Sequence, residues 1–307
     1  MALFFGASLF LARSAERMTM PEGCVREQWE MDSPSMGRKI AVAVVLPPAM
    51  VNHPETAAPV LYALHGMKAP YLSFTEMTPL REFLVDHPML LVCFDGGADS
   101  FYIDATRRAK SLYTTFFFDE LMPEIARRYH TTGQVAVTGF SMGGYGAMHY
   151  LLERPAVFSS VSVLSGAFEF FDPQYEKSDW KGPAEDLVGD KREAAILSPR
   201  LAKLVRSGVK LPPLLLLCGS EDFLKPGNLR FVDLLSSLNG EIAASHTKEL
   251  EGLDGAAKKA KAAEIRERWM IDYEYRESPG AHDWAYWKGR SREVGEFCWK
   301  WFGKSAQ

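Results

Sequence analysis

Ser141 lies in the run Gly139-Phe140-Ser141-Met142-Gly143, directly after the aliphatic stretch Val135-Ala136-Val137-Thr138 and directly before Gly144-Tyr145-Gly146-Ala147. A serine between two glycines, where a strand pattern gives way to a helix pattern, fits a very tight strand-to-helix turn. Side chains at positions 139 and 143 would collide across such a turn, and glycine leaves the room. The turn holds the serine strained with its hydroxyl exposed. The helix N-terminus behind it offers free amides and a positive dipole end to an oxyanion. The five-residue pattern alone arises by chance in a chain with 24 glycines, and its placement is what makes it specific. The chemistry implied is nucleophilic attack by an activated hydroxyl.

A serine hydroxyl needs an adjacent base, and seven histidines are present. His53, His87, His130 and His246 stand in polar, loop-like contexts and read as solvated surface residues. His149 falls in the helix after Ser141, on the wrong side to reach its hydroxyl, and His65 closes a strand run. On an elbow of this kind the chain order is serine, acid, histidine, and only His246 and His282 follow the serine. His282 occupies the Pro-Gly loop Ser278-Pro279-Gly280-Ala281-His282, after the last strand pattern and before the last helix pattern, and is the expected base. The acid must orient the imidazole and stabilise its positive charge. Asp222 follows the run Leu214–Cys218 at a buried strand's end and is the expected acid. Glu221 is the adjacent competitor and Asp283 the third, the alternative for each being a turn or helix-capping residue. The amide of Met142, after the nucleophile, and that of Met67, in Leu64-His65-Gly66-Met67, are the expected oxyanion donors.

Residues so far apart in sequence need a frame that gathers them. Strand patterns occur at Val25–Met31, Lys39–Leu46, Val60–His65, Met89–Phe94, Gln134–Phe140, Ser160–Leu164, Leu214–Cys218 and Met270–Arg276. The central ones are nearly continuous apolar runs, as expected for strands buried on both faces of a parallel sheet. Helix patterns lie between them at Pro79–Asp86, Leu112–Tyr129, Gly143–Glu153, Pro199–Arg206, Asn228–Leu238 and Arg292–Phe302. The second shows the face Phe117, Leu121, Ile125 and Tyr129. The alternation predicts an α/β fold, with a mostly parallel sheet of about eight strands and helices on both faces. Functional residues of such sheets gather where strands end. Two stretches break the alternation. Ala167–Ile196, rich in Asp, Pro, Gly, Trp and Phe, reads as an excursion over the sheet's C-terminal edge, and Glu249–Arg268 as an exposed charged helix.

Composition narrows the function classes. Apolar residues make up 47% and charged residues 24% of the 307 residues, the balance of a globular protein. The net charge of −4 and the lack of a basic run argue against nucleic acid and anionic membranes as partners. Cys24, Cys93, Cys218 and Cys298 show no metal-ligand spacing, so free thiols, no metal and no cofactor are expected. The apolar stretch Ala2–Ala12 is too short to span a bilayer and lacks the preceding positive charge of a secretory signal. Residues 1–20 are therefore read as an N-terminal extension, with Met18 or Met20 as alternative starts. Residues 21–307 are read as one domain, and the compartment as cytoplasmic.

Taken together, LHGM, FDGGADSFY, GFSMGGYGAMHYLLERPAVFSSVSVLSGAF, CGSEDFL and GAHDWAYW resemble the esterase family of α/β-hydrolases. That family holds tributyrin-type esterases, S-formylglutathione hydrolases, feruloyl and acetyl-xylan esterases and mycolyltransferases. The likeness runs from about Val25 to Phe302. It implies an α/β-hydrolase fold, a triad of Ser141, Asp222 and His282, and oxyanion amides at Met67 and Met142. It also implies a small-molecule ester as substrate, an acylated sugar among the candidates. The chain departs from the family at Lys68-Ala69-Pro70, where further glycines often follow HG, and in the length of Glu249–Arg268. The expected reaction is hydrolysis of short-chain acyl esters through an acyl-enzyme. Acyl transfer to an alcohol and hydrolysis of an S-formylglutathione-type thioester are alternatives on the same machinery, and a non-catalytic binding relative would need a broken triad. Phe74, Phe101, Tyr102, Trp180, Trp284 and Trp287 are candidates for a cleft or for plain core.

Overall fold

In the structure, a computed structural model, residues 16–303 are described. Nine strands form one sheet: β1 (Glu16–Thr19), β2 (Val25–Ser33), β3 (Arg38–Leu46), β4 (Ala58–Leu64), β5 (Leu90–Phe94), β6 (Thr131–Phe140), β7 (Ser160–Leu164), β8 (Leu214–Gly219) and β9 (Tyr273–Ser278). Their order is β1-β2-β3-β5-β4-β6-β7-β8-β9. The strands β1, β2, β3 and β5 pair antiparallel in succession, and from β5 to β9 every pairing is parallel.

The apolar runs explain the layering. Every residue of β4, β5, β7 and β8 is buried, and successive side chains of a strand point to opposite faces. Thus Leu214 and Leu216 join the core on one face, with Phe117, Tyr150 and Leu235. Leu215 and Leu217 join the core on the other, with Leu80, Phe83, Val294 and Phe297. Helices cover both faces, as connections between parallel strands require.

All eight expected strands are present, with ends shifted by a few residues. The ninth, β1, lies within the stretch read as an N-terminal extension, and its short sequence ERMT has too little alternation to announce a strand. Residues 1–15, with the apolar stretch that raised the question of a signal, lie outside the described residues.

The expected helix Leu112–Tyr129 is a composite. A turn at Tyr113–Thr115 leads into a π-helical segment Phe116–Leu121 and an α-helix Met122–Arg128. Phe116, Phe117 and Phe118 are all buried; three successive apolar residues do not fit one narrow α-helical stripe, and the wider π turn takes them in.

The excursion is not loop alone. Residues 168–171 contribute Phe168, Phe170 and Phe171 to the core, and the helix Ser178–Val188 buries Trp180, Ala184, Leu187 and Val188. The charged segment forms the helix Gly255–Trp269, in which Ile265 is the one buried residue. The four cysteines are free and buried. Among the described residues, no helix is long and apolar enough to cross a membrane.

Candidate active site

Because β4 and β6 to β9 run parallel in register, their C-terminal ends share one edge. Leu64 pairs with Gly139, Phe140 with Leu164, Leu164 with Leu217, and Gly219 with Ser278. The residues just beyond these ends are His65–Met67, Ser141, Ser165, Ser220–Asp222 and Pro279–His282.

Ser141 stands between β6 and the helix Met142–Glu153 with φ 56° and ψ −118°, a strained conformation for a residue with a side chain. Two close approaches hold it there. A Cβ at Gly139 would strike the carbonyl of Gly143, and one at Gly143 would strike the carbonyl of Leu64. The amide of Ser141 donates to Leu164 O (3.0 Å), and its carbonyl accepts from Ala167 (3.1 Å).

The three candidate residues form a hydrogen-bonded line. His282 Nε2 lies 2.9 Å from Ser141 Oγ, and His282 Nδ1 lies 3.0 and 2.9 Å from the two oxygens of Asp222. With its proton on Nδ1, the imidazole donates to Asp222 and presents a lone pair to the serine hydroxyl. The Asp222 side chain is wholly buried. Burial alone raises its pKa, but hydrogen bonds from His282 and Ser165, the charge of His282 and the Leu224 amide outweigh it and hold the carboxyl below its ordinary value.

The competing acids have other work. Glu221 is exposed and clasps the loop carrying His282: its Oε2 accepts from Gly280 N at 2.6 Å and its amide donates to Gly280 O at 3.0 Å. Asp283 caps the C-terminal helix Trp284–Trp301, accepting from Tyr286 N at 2.9 Å. His246 stands outside the site, against Glu249 and Trp269. His149 is buried between Thr114 and Arg200, and burial pushes its pKa well down. His65 is buried too; Nδ1 donates to Gly66 O at 2.8 Å and Nε2 accepts from Gly96 N at 2.9 Å. It braces the turn that carries Met67.

That turn is pinned further by Lys68 N donating to Ala98 O (2.7 Å) and Ala69 N donating to Gly66 O (3.1 Å). Met142, the first helical residue, has no intrahelical acceptor for its amide. Among the described residues, no hydrogen bond engages the amide of Met67.

Of the six aromatic candidates, Phe74, Phe101 and Tyr102 are fully buried core and Trp180 nearly so. Trp284 is 38% exposed. Trp287 stands edge-on to His282 at 4.9 Å and stacks on Phe140 at 4.4 Å. Sequence reasoning missed two neighbours of the site. Phe223, 56% exposed, lies 4.6 Å from the His282 ring. Ser165, at φ 52°, accepts from Trp287 Nε1 at 3.2 Å and helps to hold the Asp222 carboxyl low. The position of Ser165 just past β7, beside the elbow strand, was a usable signal. Among the described residues, no cluster of three His, Cys, Asp or Glu side chains is placed to hold a metal.

A parallel sheet ending in a strained serine elbow, with a histidine and an acid delivered from the next strands, defines an α/β-hydrolase. The family profile described as "Putative esterase" matches residues 33–197, and the chain belongs to this esterase family. The match takes in Met67 and Ser141 and ends before Asp222 and His282. The chain is 29% identical over 145 residues, 45% of its length, to "Esterase MT1326" of Mycobacterium tuberculosis (strain CDC 1551 / Oshkosh), and the matched stretch spans 31% of that relative. Among solved structures, an S-formylglutathione hydrolase from Agrobacterium tumefaciens is similar with a TM-score of 0.69 at 20% identity, over 95% of this chain and 100% of that one. A ferulic acid esterase follows at 0.68 and 21%, over 91% and 99%. The fluorophosphonate-binding serine hydrolase FphF of Staphylococcus aureus gives 0.66 and 19%, over 94% and 99%.

Proposed function

We propose that the protein is a serine carboxylesterase acting on small-molecule esters through an acyl-enzyme on Ser141. The observation that carries this reading is the Ser141–His282–Asp222 line, with 2.9 Å between the hydroxyl and the imidazole. In the proposed reaction His282 takes the proton of Ser141 as Oγ attacks the ester carbonyl, and returns it to the leaving alcohol. Asp222 keeps the imidazole in the working tautomer and stabilises its positive charge. The amides of Met67 and Met142 receive the oxyanion. Water, activated by the same imidazole, then releases the acid. The free buried thiols favour a reducing, cytoplasmic compartment.

Short acyl groups, of about two to four carbons, suit the surroundings because each further methylene gains about 0.8 kcal/mol only where an apolar wall receives it. Of the helix Ser178–Val188, Ala184, Leu187 and Val188 are turned into the core and only Trp180 lines the cavity beside the site, which leaves little apolar wall for a long alkyl chain.

Ser141→Ala tests the reading. The folded variant should lose at least about a thousandfold in kcat on p-nitrophenyl acetate and fail to react with a fluorophosphonate probe. A loss of less than about tenfold, too small for a nucleophile, would remove Ser141 from the role.

A further inference from the structure

Beside the proposed site, a cavity of about 150 Å³ is lined by Phe168, Tyr175, Lys177, Trp180, Phe223 and Arg230, among others. Phe223 joins it to the site: the ring that walls the cavity lies 4.6 Å from the ring of His282. Gly166, also in its lining, precedes Ala167, whose amide holds the carbonyl of Ser141. The cavity therefore borders the site on the imidazole's side of the nucleophile. The imidazole is the group that must reach the leaving oxygen, so this is the side by which an alcohol departs.

The charges around the cavity are unequally satisfied. Glu169 forms a two-bond pair with Arg230 at 2.5 and 2.6 Å. It lies against Gly227, where a Cβ would come within 2.7 Å of its Oε2, in the first turn of the helix Lys225–Ser245. The anion-favouring end of that helix is thus already taken by a side chain of this protein. Glu176 is paired with Arg192 at 2.5 Å, and Lys225 with Glu277 at 2.8 Å. Lys177 differs. Its ammonium lies 4.2 Å from the centre of the Phe223 ring and 4.8 Å from that of Trp180. Among the described residues it forms no ion pair with a carboxylate. Two aromatic faces hold the cation at the cavity without neutralising it.

We propose that this cavity is a leaving-group subsite for esters whose alcohol portion is aromatic or otherwise flat and carries an anionic group, a carboxylate or a phosphate. Phe223 and Trp180 cover the flat portion, and Lys177 meets the anion. The proposal rests on the esterase reading above. It goes beyond that reading by assigning the alcohol side and its charge.

Two acetyl esters of nearly equal shape provide the test: 3-acetoxybenzoate, which is anionic, and 3-acetoxybenzamide, which is neutral. The measured quantity is the ratio of kcat/KM for the anionic to the neutral ester. Lys177→Met should lower that ratio by about fivefold relative to the unaltered enzyme, the size of one partly exposed ion pair. Lys177→Arg should retain most of it, and molar salt should reduce it in the unaltered enzyme but not in Lys177→Met. A ratio that is the same in the unaltered enzyme and Lys177→Met overturns the subsite. Failure of the unaltered enzyme to cleave either ester is a different result: it removes the esterase reading, and the subsite with it.

Discussion

Around Ser141 the chain has almost no freedom. Gly139 and Gly143 leave no space for a Cβ, Ser141 is held on both sides by backbone hydrogen bonds, and the acid beside it is wholly buried. Above this edge, the excursion from residue 167 to 196 is built on other terms. Its aromatic residues anchor it from below, while its ion pairs lie nearer the surface, such as Arg107 with Glu185 at 2.7 Å. Under the proposed function the contrast assigns two tasks. Chemistry sits where close packing fixes atoms to a fraction of an ångström. Discrimination between substrates sits on a segment whose outward side chains can change without disturbing the elbow.

The contrast can be tested at its rigid end first. Asp222→Asn should lower kcat by about a thousandfold or more, because an amide cannot hold the imidazole in the same tautomer or stabilise its positive charge. Glu221→Gln, one residue away, should cost less than about tenfold, since an exposed group that only positions the His282 loop is being altered. A larger loss at Glu221 than at Asp222 would exchange their roles. At the adaptable end the effects should be smaller. Along p-nitrophenyl acetate, butyrate, octanoate and palmitate, kcat/KM should peak by butyrate and then decline, since of the helix Ser178–Val188 only Trp180 lines the cavity beside the site, while Ala184, Leu187 and Val188 are turned into the core. A rise continuing past octanoate would mean that the excursion opens an apolar channel, and the proposed division of tasks would fail on that side.

The same division governs how much could be seen in the sequence. The sheet was legible because strands buried on both faces leave unbroken apolar runs, as in Leu214–Leu217. The line from Ser141 through His282 to Asp222 was legible because strand ends are the places where such a sheet collects function. Ser165 escaped notice because a serine after a strand is common, and its contact with Trp287 crosses 122 residues of sequence. Lys177 left no trace at all: its distinction is to lack a carboxylate partner among the described residues, and partners are set by tertiary packing. The break in the helix at Phe116–Leu121 was hidden because Phe117, Leu121 and Ile125 satisfy an α-helical stripe even when the turn between them is wider. The strand β1 was missed because four residues at an edge carry little periodic signal.

The position of β9 gives the proposed nucleophile and the proposed base different footings. Ser141 follows β6, which has strands on both sides, whereas His282 follows β9, which among the described residues is paired with β8 alone at the margin of the sheet. No residue of β9 is buried, and its outer rim is fastened by surface charges such as Arg276 with Glu293 and Lys225 with Glu277. Margins of sheets open at lower free-energy cost than their centres. Disarming should therefore precede melting: under rising urea, ester turnover should vanish at a lower concentration than the far-ultraviolet helical signal. Coincident midpoints would show that β9 leaves only when the whole sheet does.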